Sequence, residues 1–167
     1  DADCIPDPNF IMEHMIGAEP NMITVGARHR VGPAITTLGI DDEVTSVELP
    51  STDKYTEDPR ILDAFPKIAS NKSFDPWEHV HGCSVGISRA ALLKVNGFDS
   101  AYSGSWGGED VDLAYRLISM GYKVRPVPSA VVYHIDHPSR EREGQRDLLT
   151  RKMKSRITVV ARPPSWK

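Results

Sequence analysis

Three short segments of the chain contain residue types that could bind a metal ion or accept a proton. Asp1 and Asp3 flank one alanine, and carboxylates spaced in this way at the end of a strand can present oxygens to Mg²⁺ or Mn²⁺. His134, Asp136 and His137 lie much later in the chain, and neutral imidazole is a good ligand for Mn²⁺ or Zn²⁺. On a strand, His134 and Asp136 would share one face and His137 would not. His134 is therefore our first choice of ligand, and His137 becomes available if the strand has already turned into a loop.

The third segment, residues 106–112, opens a predicted helix. Its acids, Glu109, Asp110 and Asp112, have a structural explanation, because they oppose the positive end of the helix dipole and cap free N–H groups. The tryptophan and two glycines that precede them are not explained in this way. Glycines allow a close approach to the backbone, and an indole can stack on the face of a sugar. A carboxylate held there could accept a proton from a hydroxyl group, so the functional and the structural interpretation carry about equal weight.

The elements that must position these residues indicate an α/β domain with a mixed sheet. Apolar runs bounded by turn residues predict strands, and 3.6-residue periodicity with capping residues predicts helices. Residues 32–78 are polar and rich in proline, and they read as an irregular loop region with a short helical candidate at 60–65. Three helices are predicted. The first follows Asp7 as N-cap and ends near residue 17, with Phe10, Ile11 and Met15 on one face. The second, 89–95, is capped by Ser88 and stops at Asn96, and the third, 109–120, has an apolar face of Ala114, Leu117 and Ile118. The predicted strands are 21–31, 80–87, 123–127 and 130–135.

Composition and charge exclude several classes of protein. The 167 residues are 40% hydrophobic and 26% charged, close to the globular average, so a disordered chain and a coiled coil are excluded. The net charge of −3 divides into −9 over residues 1–138 and +6 over residues 139–167. An acidic body with a basic C-terminal segment argues against a nucleic-acid partner.

Sequence patterns also indicate where in the cell the protein acts and what role its two cysteines have. Neither a spanning segment nor a signal pattern is visible, so we expect a cytoplasmic protein that meets a membrane only peripherally, at its inner face. Cys4 and Cys83 have no Cys-x-x-Cys spacing, and we interpret both as small buried apolar residues.

Taken in order, the motifs resemble those of a known family. Asp-Ala-Asp-Cys-Ile-Pro (1–6) is followed by Gly-Cys-Ser-Val-Gly-Ile-Ser-Arg (82–89), Asn-Gly-Phe-Asp (96–99), Trp-Gly-Gly-Glu-Asp-Val-Asp (106–112) and Val-Tyr-His (132–134). This series resembles the C-terminal part of GT-A-fold glycosyltransferases of family 2, from the DxD motif onward, and the related galactosyltransferase C-terminal domain. The resemblance covers residues 1–6 and 80–137. It implies a GT-A-like, Rossmann-related mixed sheet with flanking helices.

The resemblance also implies a domain organisation. Residues 1–138 would form the catalytic and acceptor-binding half of a GT-A domain, with residues 32–78 as its irregular loop region. The nucleotide-binding half of the family lies before the DxD motif, so we expect this chain to lack it. Residues 139–167 would form a separate basic C-terminal segment.

The activity implied is an inverting, metal-dependent transfer of a sugar from a nucleotide-sugar, often a UDP-sugar, to a hydroxyl group of a glycan. By position in the motifs, Asp3 would bind Mn²⁺ or Mg²⁺, and Asp1 would face the donor or bind the metal through water. His134 matches the later metal ligand of the family, with His137 as a second candidate.

The resemblance also implies a catalytic base and an acceptor site in residues 106–112. A further hypothesis concerns the arginines that follow the two histidines. Asp110 matches the catalytic base, and Glu109 would contact the acceptor or share that role. Three residues would frame the acceptor site, namely Trp106, Gly107 and Gly108. Arginines past the histidine pair could close over the donor diphosphate as a basic loop, which we add as a hypothesis for Arg140, Arg142 and Arg146.

Two other interpretations stay open at this point. The chain could be an inactive glycosyltransferase fragment that acts at most as a sugar-binding or interaction module. More distantly, His134, Asp136 and His137 could form the site of a metallohydrolase, although such sites carry further histidines before their Asp-His pair. Titration of UDP with and without Mn²⁺ separates the transferase from the inactive fragment, and zinc content with esterase or lactamase activity would favour the metallohydrolase.

Overall fold

The computed structural model describes residues 3–31, 55–57, 65–68, 75–103, 107–137 and 145–160. Five strands form one mixed sheet, and helices flank it, which confirms the predicted α/β class. The strands are β1 (Cys4–Pro6), β2 (Met22–Val31), β3 (Tyr55–Glu57), β4 (Val85–Gly86) and β5 (Lys123–Ile135). The helices are α1 (Phe10–Gly17), α2 (Arg89–Val95), α3 (Glu109–Ser119) and α4 (Gln145–Lys154).

Strands β2 and β5 are the centre of the sheet, and they run parallel to each other. The far edge of β5 pairs with β1, antiparallel. The other edge of β2 pairs antiparallel with β4 near its start and with β3 at its end. Buried apolar residues concentrate on these central strands because both faces of β2 are covered, and Ile23 and Val25 join the main core cluster.

Two predicted strands, 123–127 and 130–135, are one strand in the structure, β5. The pairing with β2 shifts between Gly26 and Ala27, which face Val127 and Val131. The extra residues of β5 therefore bulge, and they press the carbonyl of Ala130 towards Gly26. A Cβ at residue 26 would lie 2.0 Å from that carbonyl oxygen, so only glycine fits beside the bulge.

Helices α2 and α3 pack together and cover part of the sheet. Helix α2 matches the predicted span, since Ser88 Oγ accepts a hydrogen bond from Ala91 N at 3.2 Å, and Asn96 ends the helix in the left-handed conformation. Helix α3 turns Leu113, Ala114 and Leu117 into the core, whereas the sequence predicted an apolar face of Ala114, Leu117 and Ile118. The predicted helix is confirmed to within one residue at its end.

Helix α1 differs from the sequence prediction. It begins at Phe10 because Asp7 caps a turn, accepting a hydrogen bond from Asn9 N at 2.9 Å. The predicted apolar face does not reach the core, since Ile11 and Met15 are each 70% exposed. The buried residue is His14, which can be buried because its two ring nitrogens find polar partners on the sheet.

The strand predicted at 80–87 reduces to the two residues of β4. Residues 76–79 form a short 3-10 helix before it, and residues 65–68 form one helical turn. Most of the predicted loop region 32–78 lies outside the described residues, although β3 falls within it. Among the helices of the described ranges, none has the length and apolar character needed to cross a membrane.

Candidate functional site

The pairing of β1 with β5 brings the two ends of the motif series together. Cys4 faces His134 in the antiparallel register, and Ile135 N donates a hydrogen bond to Asp3 O at 2.9 Å. The carboxylate of Asp3 is thus held at the end of β5, where the histidines lie. Strand pairing, and not proximity in sequence, creates this part of the site.

Asp3, His134 and His137 form what we call the Asp–His cluster. The distance from Asp3 Oδ2 is 3.1 Å to His137 Nε2 and 3.6 Å to His134 Nε2. One ligand atom from each residue lies within 4.8 Å of the other two. Because β5 ends at Ile135, His137 is free of the strand's alternation and turns towards the same carboxylate.

Asp136 does not join the cluster. Its Oδ1 accepts a hydrogen bond from Arg30 Nε at 3.1 Å and also contacts the second guanidinium nitrogen of Arg30. The arrangement proposed for a hydrolase, with Asp136 between two histidines, is therefore not the one that this structure contains.

The charges of the Asp–His cluster suit metal binding. Partial burial raises the pKa of Asp3, but its own backbone N–H, His134, Cys4 and His137 outweigh it, so the pKa lies below its ordinary value. Burial lowers the pKa of His134, helped by Arg28 and His137 and opposed by Asp3. Near pH 7 the cluster therefore offers an ionised carboxylate and a neutral His134, the states in which these groups bind metals.

The residues of the cluster also fit a metal in their donor atoms. His134 Nδ1 is buried and has no hydrogen-bond partner among the described residues, so this ring has unmet polar capacity. Two imidazole nitrogens and one carboxylate oxygen favour a transition-metal cation such as Mn²⁺ or Zn²⁺ over Mg²⁺, which prefers oxygen ligands.

A pair of thiols links the cluster to the rest of the site. Cys4 Sγ donates a long hydrogen bond to Asp3 Oδ1 at 3.7 Å, and the thiol of Cys83 lies close enough to Cys4 to shift its pKa. The proximity of the two thiols raises the pKa of Cys4 and lowers the pKa of Cys83, and the guanidinium of Arg28 lowers the pKa of Cys83 further. Both cysteines are free thiols, and Cys4 is only partly buried.

The N-terminus of α3 presents the acidic residues of the third segment. Gly107 and Gly108 have φ of 90° and 91°, a conformation that other residues adopt at a cost, and Gly108 forms the N-cap without a side chain. Glu109 and Asp110 follow in the first turn, both partly buried. Asp110 Oδ2 accepts a hydrogen bond from Gly82 N at 3.1 Å, which fixes this carboxylate beside the segment that contains Cys83.

Several residues named from the sequence are not among those described. They are Asp1, Trp106, Arg140 and Arg142, so their predicted roles stay predictions. Arg146 lies in the first turn of α4.

Sequence patterns did not indicate the contributions of Arg28, Gly82 and the thiol pair. The charge of Arg28 lowers the pKa of Cys83 and the pKa of His134, so this arginine lies near both groups. One signal was available, because Arg28 and Arg30 are two residues apart in a predicted strand and therefore share a face. Which groups they meet depends on strand order, which the local pattern does not contain.

Comparisons with known proteins bear on the same segments. A protein-family model described as the N-terminal domain of galactosyltransferase matches residues 66–138. The chain is also similar to chondroitin synthase of Escherichia coli, with 26% identity over 168 residues, covering 87% of this chain and 23% of that protein. Human beta-1,4-galactosyltransferase 2 is 31% identical over 121 residues, covering 54% of this chain and 32% of the enzyme. These relatives are glycosyltransferases.

The hyaluronan synthase of Pasteurella multocida is a further relative, 30% identical over 87 residues that cover 52% of this chain and 9% of that protein. The chain spans less than a third of each of these relatives. The family match contains Gly82, Asp110 and both histidines of the Asp–His cluster, but not Asp3. Together the comparisons support a glycosyltransferase, in agreement with the resemblance of the motifs.

Proposed function

We propose that this chain contains the catalytic and acceptor-binding part of a GT-A-type glycosyltransferase. It moves a sugar from a nucleotide-sugar, in the first instance a UDP-sugar, to a hydroxyl group of a carbohydrate with inversion at the anomeric carbon. The observation that carries the proposal is the continuity of the site. The Asp–His cluster connects through Cys4 and Cys83 to the segment whose Gly82 holds Asp110.

Donor binding is assigned to the Asp–His cluster. Asp3, His134 and His137 would hold a divalent cation, Mn²⁺ in preference to Mg²⁺ because two of the three ligands are imidazoles. When bound, such an ion supplies a Lewis acid that stabilises the negative charge of the departing diphosphate. Asp1 would contact the donor or reach the metal through water, and Arg140 and Arg142 would contact the diphosphate.

Acceptor activation is assigned to the N-terminus of α3. Asp110 accepts the proton of the acceptor hydroxyl as its oxygen forms a bond to the anomeric carbon, while the bond to the diphosphate oxygen breaks on the opposite face. The hydrogen bond from Gly82 N fixes the orientation of the carboxylate that would take up this proton. Glu109 orients the acceptor, Gly107 and Gly108 allow a close approach to the backbone, and Trp106 stacks on the sugar ring.

Isothermal titration of UDP in the presence and absence of Mn²⁺ tests the donor half. We expect UDP binding that requires a divalent cation, is stronger with Mn²⁺ than with Mg²⁺, and is lost in a His137→Ala variant. Transfer assays with a panel of UDP-sugars and glycan acceptors test acceptor activation. An Asp110→Asn variant should retain UDP binding and lose transfer.

Other outcomes would support the competing interpretations. UDP binding without transfer by any donor–acceptor pair would indicate a sugar-binding module. The absence of metal-dependent UDP binding would contradict the proposal. Tightly bound zinc together with esterase or lactamase activity would favour a metallohydrolase.

A further inference from the structure

Lys152 is a buried charge in a segment that the sequence identifies as a basic C-terminal tail. Its side chain is 6% exposed. Its Nζ lies 2.7 Å from Asp99 Oδ2 and forms a second ion pair with Asp112 Oδ1. The same ammonium group lies over the ring of Tyr102, 5.1 Å from its centroid. A lysine is rarely buried unless it is paired, and here two carboxylates and an aromatic face surround it.

One of these carboxylates belongs to the helix that carries the proposed base. Asp112 is fully buried in the first turn of α3, and its backbone N–H donates the helical hydrogen bond to Gly108 O at 2.9 Å. Glu109 and Asp110 lie in the same turn. Any group that fixes the side chain of Asp112 therefore fixes the turn that presents both proposed acceptor-site acids.

A second cation holds the other oxygen of Asp112. Arg116 Nε donates to Asp112 Oδ2 at 2.8 Å, and its remaining nitrogens donate to Val95 O at 2.9 Å and Gly97 O at 2.8 Å. The guanidinium thus ties α3 to the C-terminal end of α2. Two carboxylates and two cations balance in charge, which reduces the cost of burying them.

Helix α4 is joined to the same region by contacts that do not involve charge. Tyr115 on α3 donates to Met153 O at 3.4 Å. After the helix, Val160 O accepts a hydrogen bond from Asn96 Nδ2 at 2.7 Å, and Val160 N donates to Val95 O. The C-terminal segment therefore contacts α3 through Met153 and the end of α2 through Val160, and Lys152 is its charged contact with α3.

We propose that Lys152 is a positioning residue for the transfer reaction. By joining Asp99 to Asp112 it holds the first turn of α3, and with it Glu109 and Asp110, in the geometry that acceptor activation requires. Helix α4 is then part of the acceptor site's support and not a separate tail. The proposal rests on the function proposed above, and it assigns to residues 145–160 a role in that site.

The test compares three variants of the whole chain. Lys152→Met removes the charge while keeping most of the side-chain volume, Lys152→Arg restores a cation, and Lys154→Met is the matched control, because Lys154 is an exposed lysine on the same helix. Amide hydrogen exchange is measured at residues 108–113 and in β5. In Lys152→Met we expect exchange in the first turn of α3 to accelerate about 10-fold or more, with β5 unchanged.

Kinetics provide a second measurement. In Lys152→Met, kcat should fall about 10- to 100-fold while the affinity for UDP with Mn²⁺ stays unchanged, because the donor half of the site is not displaced. Lys152→Arg should recover most of the loss, and Lys154→Met should behave as the unmodified protein. If Lys152→Met does not fold, Asp99→Asn removes one partner of the lysine and is measured in its place.

Each result has a defined meaning. Exchange that stays unchanged in the first turn, or that accelerates equally in β5, would overturn the positioning role, as would equal losses of UDP affinity and kcat. Lack of transfer by the unmodified protein would refute the proposed function. It would not refute the link between Lys152 and the first turn of α3, because hydrogen exchange measures the stability of that turn even in an inactive protein.

Discussion

His137 Nε2 lies 3.1 Å from Asp3 Oδ2, although the two residues come from opposite ends of the motif series. The contact depends on two features of the sheet. Strand β1 pairs beside β5, which places Asp3 at the end of β5, and β5 ends before His137. Strand alternation favoured His134 and made His137 depend on where the strand ends, and the structure brings both histidines to one carboxylate.

Removal of His137 should abolish metal-dependent donor binding. A His137→Ala variant loses one of the three proposed metal ligands. We expect the affinity for Mn²⁺ to fall by more than about 100-fold, which exceeds the effect of losing a residue that only hydrogen-bonds to a ligand. Calorimetric titration with Mn²⁺, followed by UDP, measures the change. The matched control is His79→Ala, a partly buried histidine outside the cluster, and equal losses in the two variants would contradict the assignment.

Replacement of the proposed base should separate chemistry from binding. In Asp110→Asn the side chain keeps its shape and can still accept a hydrogen bond from Gly82 N, but it can no longer take up a proton. We expect kcat to fall by about 10²- to 10⁴-fold with UDP affinity unchanged. Asp147→Asn is the control, because it changes an exposed acid in the first turn of another helix. Retention of full activity by Asp110→Asn would exclude the role.

The buried pair of Arg116 and Asp112 should dominate the stability of the α2–α3 region. Arg116→Met leaves a buried carboxylate with one cation fewer and removes the guanidinium hydrogen bonds to Val95 O and Gly97 O, so we expect the free energy of unfolding to fall by about 3–5 kcal/mol. Urea unfolding of the whole chain measures it. For comparison, Arg125→Met removes a surface ion pair with Glu19 and should cost less than about 1 kcal/mol. Similar losses in both variants would show that burial of the first pair is unimportant.

Stability should decrease in mild acid because of His14. This ring is buried, with Nδ1 2.8 Å from Thr24 Oγ1 and Nε2 3.3 Å from Ser84 Oγ, and burial lowers its pKa from the ordinary 6.5. Between the folded and unfolded pKa values the unfolded chain binds more protons. The free energy of unfolding therefore falls as the pH drops below about 6.5, by at most about 1.4 kcal/mol per pH unit for one group.

A His14→Gln variant provides the test of that pH dependence. Its side chain can still hydrogen-bond but does not titrate, so the decrease between pH 7.5 and 5.5 should be smaller than in the unmodified protein. Burial also lowers the pKa of His79 and His134, and both histidines remain in the variant. The difference between the two urea-unfolding series therefore isolates His14, and identical series would contradict the prediction.

Local rules accounted for the elements whose signals are local. Helix α2 has its cap at Ser88 and its end at Asn96 as predicted, since capping involves only residues within a turn of the helix end. Helix α1 shows where such rules fail. Its apolar residues suggested a buried face, but the sheet offers polar partners to His14, and Ile11 and Met15 remain exposed.

The sequence by itself determined the class of fold, the motif series and the identity of the residues that could do chemistry. Those features depend on residue types and short spacings, which are fixed before the chain folds. The tertiary structure alone decided that both histidines face Asp3, that the thiols of Cys4 and Cys83 meet, and that Lys152 is buried against Asp112. Each of these contacts joins residues that are far apart in the sequence. Strand order and helix packing bring them together, and a local sequence pattern does not show which residue will contact which.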